Sequence, residues 1–174
     1  MDFLLIAVFL VGAAIRLSSL VVSKRHEAAL RRDGAVEHGA LNTRLLAFAH
    51  VFYYVACLGE GIARATRFDA VSLTGFGLYG AAILMLVWIV RLLGPIWTVK
   101  IMIARDHVVN RHWLFRTVRH PNYFLNILPE LIGFALIFHA YVTLVVGLPV
   151  YLVILVIRIR QEEAAMRDLF SAKD

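Results

Sequence analysis

Long apolar runs alternate along the chain with short charged connections. Residues 3–22 are interrupted only by Arg16, residues 45–63 by His50 and Glu60, and residues 70–93 by Arg91. Two shorter runs, 122–139 and 142–158, carry Pro129 and Pro149. About 20 apolar residues make a helix long enough to cross the ~30 Å hydrocarbon core of a bilayer. The pattern therefore predicts an all-α membrane protein with about five transmembrane helices at roughly those positions. Proline is compatible with the fourth and fifth, because neighbouring helices satisfy the carbonyls it releases. Between the first two runs, residues 23–44 mix charges with Leu30, Val36 and Leu41 as sparse apolar points, as suits a surface-lying amphipathic helix or a solvated loop. No polar block is long enough to fold separately, so one domain spanning 1–174 is expected.

Composition strengthens the membrane assignment. The 174 residues are 61% hydrophobic, against roughly 45–50% apolar usage in soluble domains, and the mean hydropathy is +0.77. Asp2 precedes the first run and no basic stretch does, so that run reads as a retained helix and not as a cleaved leader. The net charge of +6 lies in the loops: fifteen Lys and Arg fall in or at the edges of the connections 23–44 and 91–121 and in the tail, against Arg64 and Arg67 on the other side. Basic loops stay in the cytoplasm, which puts the N-terminus outside and the tail inside a bacterial-type cell membrane. Charge so spread argues against nucleic acid as a partner. Cys57 stands alone, so neither a disulfide framework nor a cysteine metal cluster is expected, and no metal ligand set is assigned.

Two motifs carry the chemistry. Arg119-His120-Pro121-Asn122-Tyr123 opens the fourth run, and Arg158-Ile159-Arg160-Gln161-Glu162-Glu163 closes the fifth. Seventeen residues separate Tyr123 from a turn near Ala140 and eighteen separate that turn from Arg158, about 26 Å of helix each way at ~1.5 Å per residue. The motifs should therefore meet at one membrane face. Pro121 suits a first helical position, where unbonded amides favour an anion. Arg158 and Glu162, four residues apart, could be only a helical ion pair, or a cation and a carboxylate at the mouth of a pocket. His50, Glu60 and Glu130 are ionisable groups at membrane depth, which are costly and often functional. Glu60 is nearest the outer interface, whereas His50 and Glu130 are either hydrogen-bonded inside the bundle or part of a substrate pocket. Gly75-Phe76-Gly77-Leu78-Tyr79-Gly80 matches G-x-G-x-x-G but sits inside an apolar span with no preceding strand, so helix packing is its expected role.

The R-H-P-x-Y motif, the apolar hairpin and R-x-x-x-E-E resemble the isoprenylcysteine carboxyl methyltransferase family of integral membrane enzymes, over about residues 94–170. Ser23–Leu30, Leu45–Glu60, Gly94–Lys100, His120–Asn126 and Pro129-Glu130 look like the bacterial branch that O-methylates alkylpyrones and alkylresorcinols. The resemblance implies S-adenosyl-L-methionine as cofactor, held by Lys100, His107, Val108, Val109, Asn110, Phe115, His120, Pro121, Asn122, Tyr123 and Glu162. It implies a lipid-tailed small molecule as acceptor, with Arg158 on the acceptor's anionic oxygen and membrane lipid around the helices. Two departures stand out: Trp113-Leu114-Phe115 replaces the family's G-x-Y, and the F-G-x-x-Y-x-x-Y tail is not found after Phe170, so part of the cofactor's cover is expected to differ.

Methyl transfer from a sulfonium is an in-line displacement that needs positioning more than a metal or a covalent nucleophile. An enolic or carboxylic acceptor is already acidic, whereas a phenol near pKa ~10 needs a base, for which His50 and Glu130 are the candidates. An isoprenylcysteine or phospholipid acceptor is the alternative within methyl transfer. Membrane enone and sterol reductases share R-H-P-N-Y, but Glu162 and Glu163 would repel the 2′-phosphate of NADPH. A non-enzymatic membrane subunit is the remaining alternative; a transporter should show paired interrupted helices, and no repeat is present.

Overall fold

The structure, a computed structural model, describes residues 3–103 and 112–171, with side chains to residue 167. Helix α1 spans Phe3–Arg32, α2 Ala40–Ala63 and α3 Ala70–Leu93. After a 3-10 turn at Gly94–Ile96, the short helix α4 (Trp113–Thr117) lies beyond the undescribed stretch. A π-helical segment, Asn122–Ile127, runs into α5 (Leu128–Ile137), and a second, Thr143–Gly147, runs into α6 (Leu148–Ser171). Two three-residue strands, β1 (Val36–His38) and β2 (Ile101–Ile103), pair antiparallel with Glu37 opposite Met102.

The protein is an all-α membrane protein. Among the described residues, four helices are long and apolar enough to cross a bilayer, and Asn122–Ile137 is a shorter apolar fifth. That shorter arm ends in a turn at Phe138 and His139, and His139 takes a positive φ of 52°. Glu60 closes the same end: its carboxylate accepts the backbone amides of Val142 and Thr143, each at 3.0 Å. A carboxylate at a helix start satisfies amides that have no partner within the helix and complements the helix dipole. Asp69 does the same for α3 by accepting from Val71 and Ser72.

Residues 23–44 differ from both expectations. Helix α1 continues to Arg32, about 45 Å in all, and so projects well past a ~30 Å hydrocarbon core. The projecting part is ordered by buried polar contacts: Ser23 donates to Glu27 and accepts from the amide of Val99 at 2.9 Å. Lys100 is 3.2 Å from Glu27 and 3.1 Å from Glu37. This clip ties α1, β1 and β2 together over one end of the bundle.

Gly75 plays the packing role expected of it. A Cβ there would lie 2.6 Å from the carbonyl oxygen of Gly133, and one at Gly133 would lie 2.7 Å from the amide of Tyr79. Helices α3 and α5 thus touch backbone to backbone. Gly77 and Gly80 face open space, so the second and third glycines of the pattern have no such part.

Candidate active site

The helical hairpin returns the chain to the end it left, and the two motifs meet there. Pro121 is buried at the helix start, and the His120 carbonyl accepts the amides of Tyr123 and Phe124 at 3.0 and 3.2 Å. Those two amides are thereby occupied and not free for the anion expected at this helix start. The π turn that follows keeps both Tyr123 and Asn126 buried; π turns inside helices recur at functional sites.

Tyr123 is the hinge between the motifs. Its hydroxyl donates to Glu162 at 2.7 Å and accepts from Arg158 Nε at 3.3 Å. The His120 ring stacks on Tyr123, 5.7 Å between centroids, and its nitrogens lie 3.8 Å from Glu162 and 3.3 Å from Glu163. Arg158 is only 2% exposed. Its Nη1 donates to the Thr43 hydroxyl and its Nη2 to the Val99 carbonyl at 2.6 Å. Arg158 and Glu162 are therefore joined through Tyr123.

These side chains line a cavity of about 410 Å³. Its polar wall includes Lys100, Arg119, His120, Asn122, Tyr123, Arg158 and Glu162, with Phe115 and Pro121 beside them. Ile89, Leu93, Ile96 and Met102 form an apolar wall. Lys100, expected to serve a cofactor, has its charge engaged by Glu27 and Glu37. Burial lowers the pKa of Lys100 and raises that of Glu37, but opposite charges outweigh both effects: Glu37 and Glu27 hold Lys100 above its ordinary 10.5, and Lys100 and Arg31 hold Glu37 below its ordinary 4.5. His107, Val108, Val109 and Asn110 lie outside the described residues.

His50 and Glu130 come together, but not at this cavity. Glu130 is fully buried, pairs with Arg16, accepts from the Tyr54 hydroxyl and lies 3.5 Å from His50 Nε2. Arg16, in the sequence an interruption of the first run, is by its membrane depth itself a signal that a partner exists. Thr43 and the Val99 carbonyl carry no such signal, since neither a lone threonine nor a backbone oxygen stands out in a sequence.

A model of the isoprenylcysteine carboxyl methyltransferase family matches residues 75–168, which includes both motifs and most of the cavity wall. The chain belongs to this family. Its type is that of a membrane methyltransferase, and isoprenylcysteine carboxyl methyltransferase family enzymes generally use S-adenosylmethionine. An uncharacterised protein of Haemophilus influenzae is 50% identical over 157 residues, covering 90% of this chain and 91% of that relative. Uncharacterised protein YpbQ of Bacillus subtilis is 27% identical over 173 residues, covering 97% and 98%. No solved structure matches the chain. The family's cofactor fits the cavity on chemical grounds. The volume lies within the ~300–1,000 Å³ of small-molecule sites, and a carboxylate beside an apolar wall suits a cation that carries an aromatic base.

Proposed function

We propose that the protein is an S-adenosylmethionine-dependent O-methyltransferase acting on a lipid-tailed acceptor at the cytoplasmic membrane face, the favoured acceptor being a long-chain alkylpyrone or alkylresorcinol. The observation that carries this reading is the Glu162–Tyr123–Arg158 chain, which places a carboxylate and a guanidinium on one cavity wall. When bound, the cofactor supplies an electrophilic methyl group on a sulfonium. Glu162, His120, Asn122 and Tyr123 would hold it, with Phe115 and Lys100 beside them.

Arg158 has five N–H groups, of which three are used by Tyr123, Thr43 and Val99. The remaining two have no hydrogen-bond partner among the described residues and would serve an acceptor oxygen, and an anchored donor loses little freedom when it binds. An enolate or carboxylate needs no further base in such a site, which favours the alkylpyrone; the phenol of an alkylresorcinol needs one, and neither His50 nor Glu130 lines the cavity to supply it. The apolar wall of Ile89, Leu93 and Ile96 would receive the start of the tail. The loop charges, fifteen against two, support a cytoplasmic site.

The test is methyl transfer from labelled S-adenosylmethionine by purified protein in lipid, offering a long-chain alkylpyrone, an alkylresorcinol and a farnesylated cysteine in parallel. Label in the alkylpyrone or alkylresorcinol is expected. Label in the farnesylated cysteine alone would move the protein to the other acceptor class, and NADPH binding without S-adenosylmethionine binding would overturn the reading.

A further inference from the structure

A second polar layer lies deeper in the bundle than the cavity, and the proposed chemistry makes no use of it. Arg16 of α1 pairs with Glu130 of α5, and Tyr54 of α2 donates to the same carboxylate. His50 of α2 bridges Glu130 at 3.5 Å and the Tyr151 hydroxyl of α6 at 3.3 Å. Four members stand seven residues from a residue of the cavity layer on the same helical arm: Arg16 and Ser23, His50 and Thr43, Glu130 and Tyr123, Tyr151 and Arg158. Seven residues are about two α-helical turns, so the pairs on α1, α2 and α6 share a face roughly 10 Å apart. On the α5 arm the interval crosses the π turn, and both ends are nonetheless buried.

The upper layer is linked across the same four arms. Ser23 holds the Val99 amide, the Val99 carbonyl holds Arg158, and Arg158 holds Thr43 and Tyr123. Between the layers stand Leu46, Ile127 and Leu155, one buried apolar side chain from each of α2, the α5 arm and α6.

Apolar contacts between membrane helices specify register poorly, because lipid tails are as apolar as the side chains they would replace. A buried ion pair does specify it, since a one-residue slip or a rotation of any arm leaves a charge without its partner. We propose that the Arg16–Glu130–His50–Tyr151 layer is a register lock that positions Thr43, Tyr123 and Arg158. None of the four lines the cavity, so they act as positioning residues. Their effect on turnover rests on the methyltransferase reading, whereas their effect on helix register does not.

The test replaces the pair by apolar side chains of similar length, Arg16→Met with Glu130→Leu, a change that buried ion pairs often survive as folded protein. Register is read without any ligand by disulfide formation between Asn42→Cys and Ile154→Cys in a Cys57→Ala background, since Asn42 reaches the Ile154 carbonyl at 3.3 Å. The expected result is a protein that still unfolds cooperatively, with cross-linking slowed about tenfold and kcat lowered about 10- to 100-fold, as small misplacements can do, while the Kd for S-adenosylmethionine changes far less. A folded double variant with unchanged cross-linking and kcat would overturn the lock. Should that variant fail to fold, Glu130→Gln, which keeps an acceptor for Tyr54, carries the same comparison in milder form. If the unsubstituted protein transfers methyl to no acceptor, the functional reading fails and cross-linking alone decides the lock.

Discussion

Three fixed contacts make Arg158 a rigid donor in the cavity wall. Arg158→Ala is expected to lower kcat/KM for methyl transfer about 100-fold, near 2.7 kcal/mol of transition-state stabilisation, while the Kd for S-adenosylmethionine stays within a fewfold; steady-state kinetics beside equilibrium binding measures the split. Equal losses in both would assign Arg158 to the cofactor. Arg158→Lys should rescue little, because an ammonium cannot reproduce the planar fork that spans Tyr123, Thr43 and Val99. The value of Arg158 as a candidate was legible from its place in R-x-x-x-E-E at the end of an apolar run. What holds it was not, because Thr43 is 115 positions away and Val99 contributes a backbone carbonyl. Likewise Glu130 was legible as an ionisable group at membrane depth, but its pairing with Arg16 across 114 positions was a matter of tertiary structure.

At the scale of elements, the α3–α5 contact depends on backbone approach. Gly75→Ala should destabilise the fold by about 1–3 kcal/mol, the order typical of overpacking, and so lower the thermal midpoint in detergent, whereas Gly77→Ala should be neutral because nothing lies within 4 Å of its added methyl. Melting curves of the two variants test this, and equal shifts would contradict it. The projecting end of α1 gives a pH prediction. Glu37, held below 4.5, contributes stability present above that value and lost as pH falls through its depressed value. Lys100, held above 10.5, contributes stability present below that value and lost as pH rises through its raised one. Limited proteolysis of residues 23–38 should therefore be slow across the range between and faster at either extreme, and Glu37→Gln should weaken the acid limb, leaving the Lys100–Glu27 pair. The boundaries of α3 coincide with the apolar run that predicts it, since Asp69 caps one end and Gly94-Pro95 stops the other. The boundary of α1 does not, because Ser23 and Glu27 are stabilised in a helix by partners in the distant connector.

For the whole molecule, the two arms of the hairpin have nearly equal length, and that equality brings a motif at position 119 and one at position 158 to one cavity. The meeting was readable from the arithmetic of the sequence, since helices of similar rise must return to the plane they left. The cavity's shape was not, because its apolar wall comes from the end of α3 and from β2, which pairs with β1 only in the folded chain. The same architecture predicts that a reporter fused after Asp174 is active in the cytoplasm and that one inserted near Arg67 is exported, with the reverse pattern contradicting the charge argument. The proposed function requires that the cavity built by the two motifs bind the cofactor. Its most direct test is equilibrium binding of radiolabelled S-adenosylmethionine to purified protein and to Glu162→Gln. Saturable binding to the unsubstituted protein that NADPH does not displace, weakened about tenfold by loss of the carboxylate's charge, is expected; no binding, or equal binding by both proteins, would rule out a cofactor site held by Glu162.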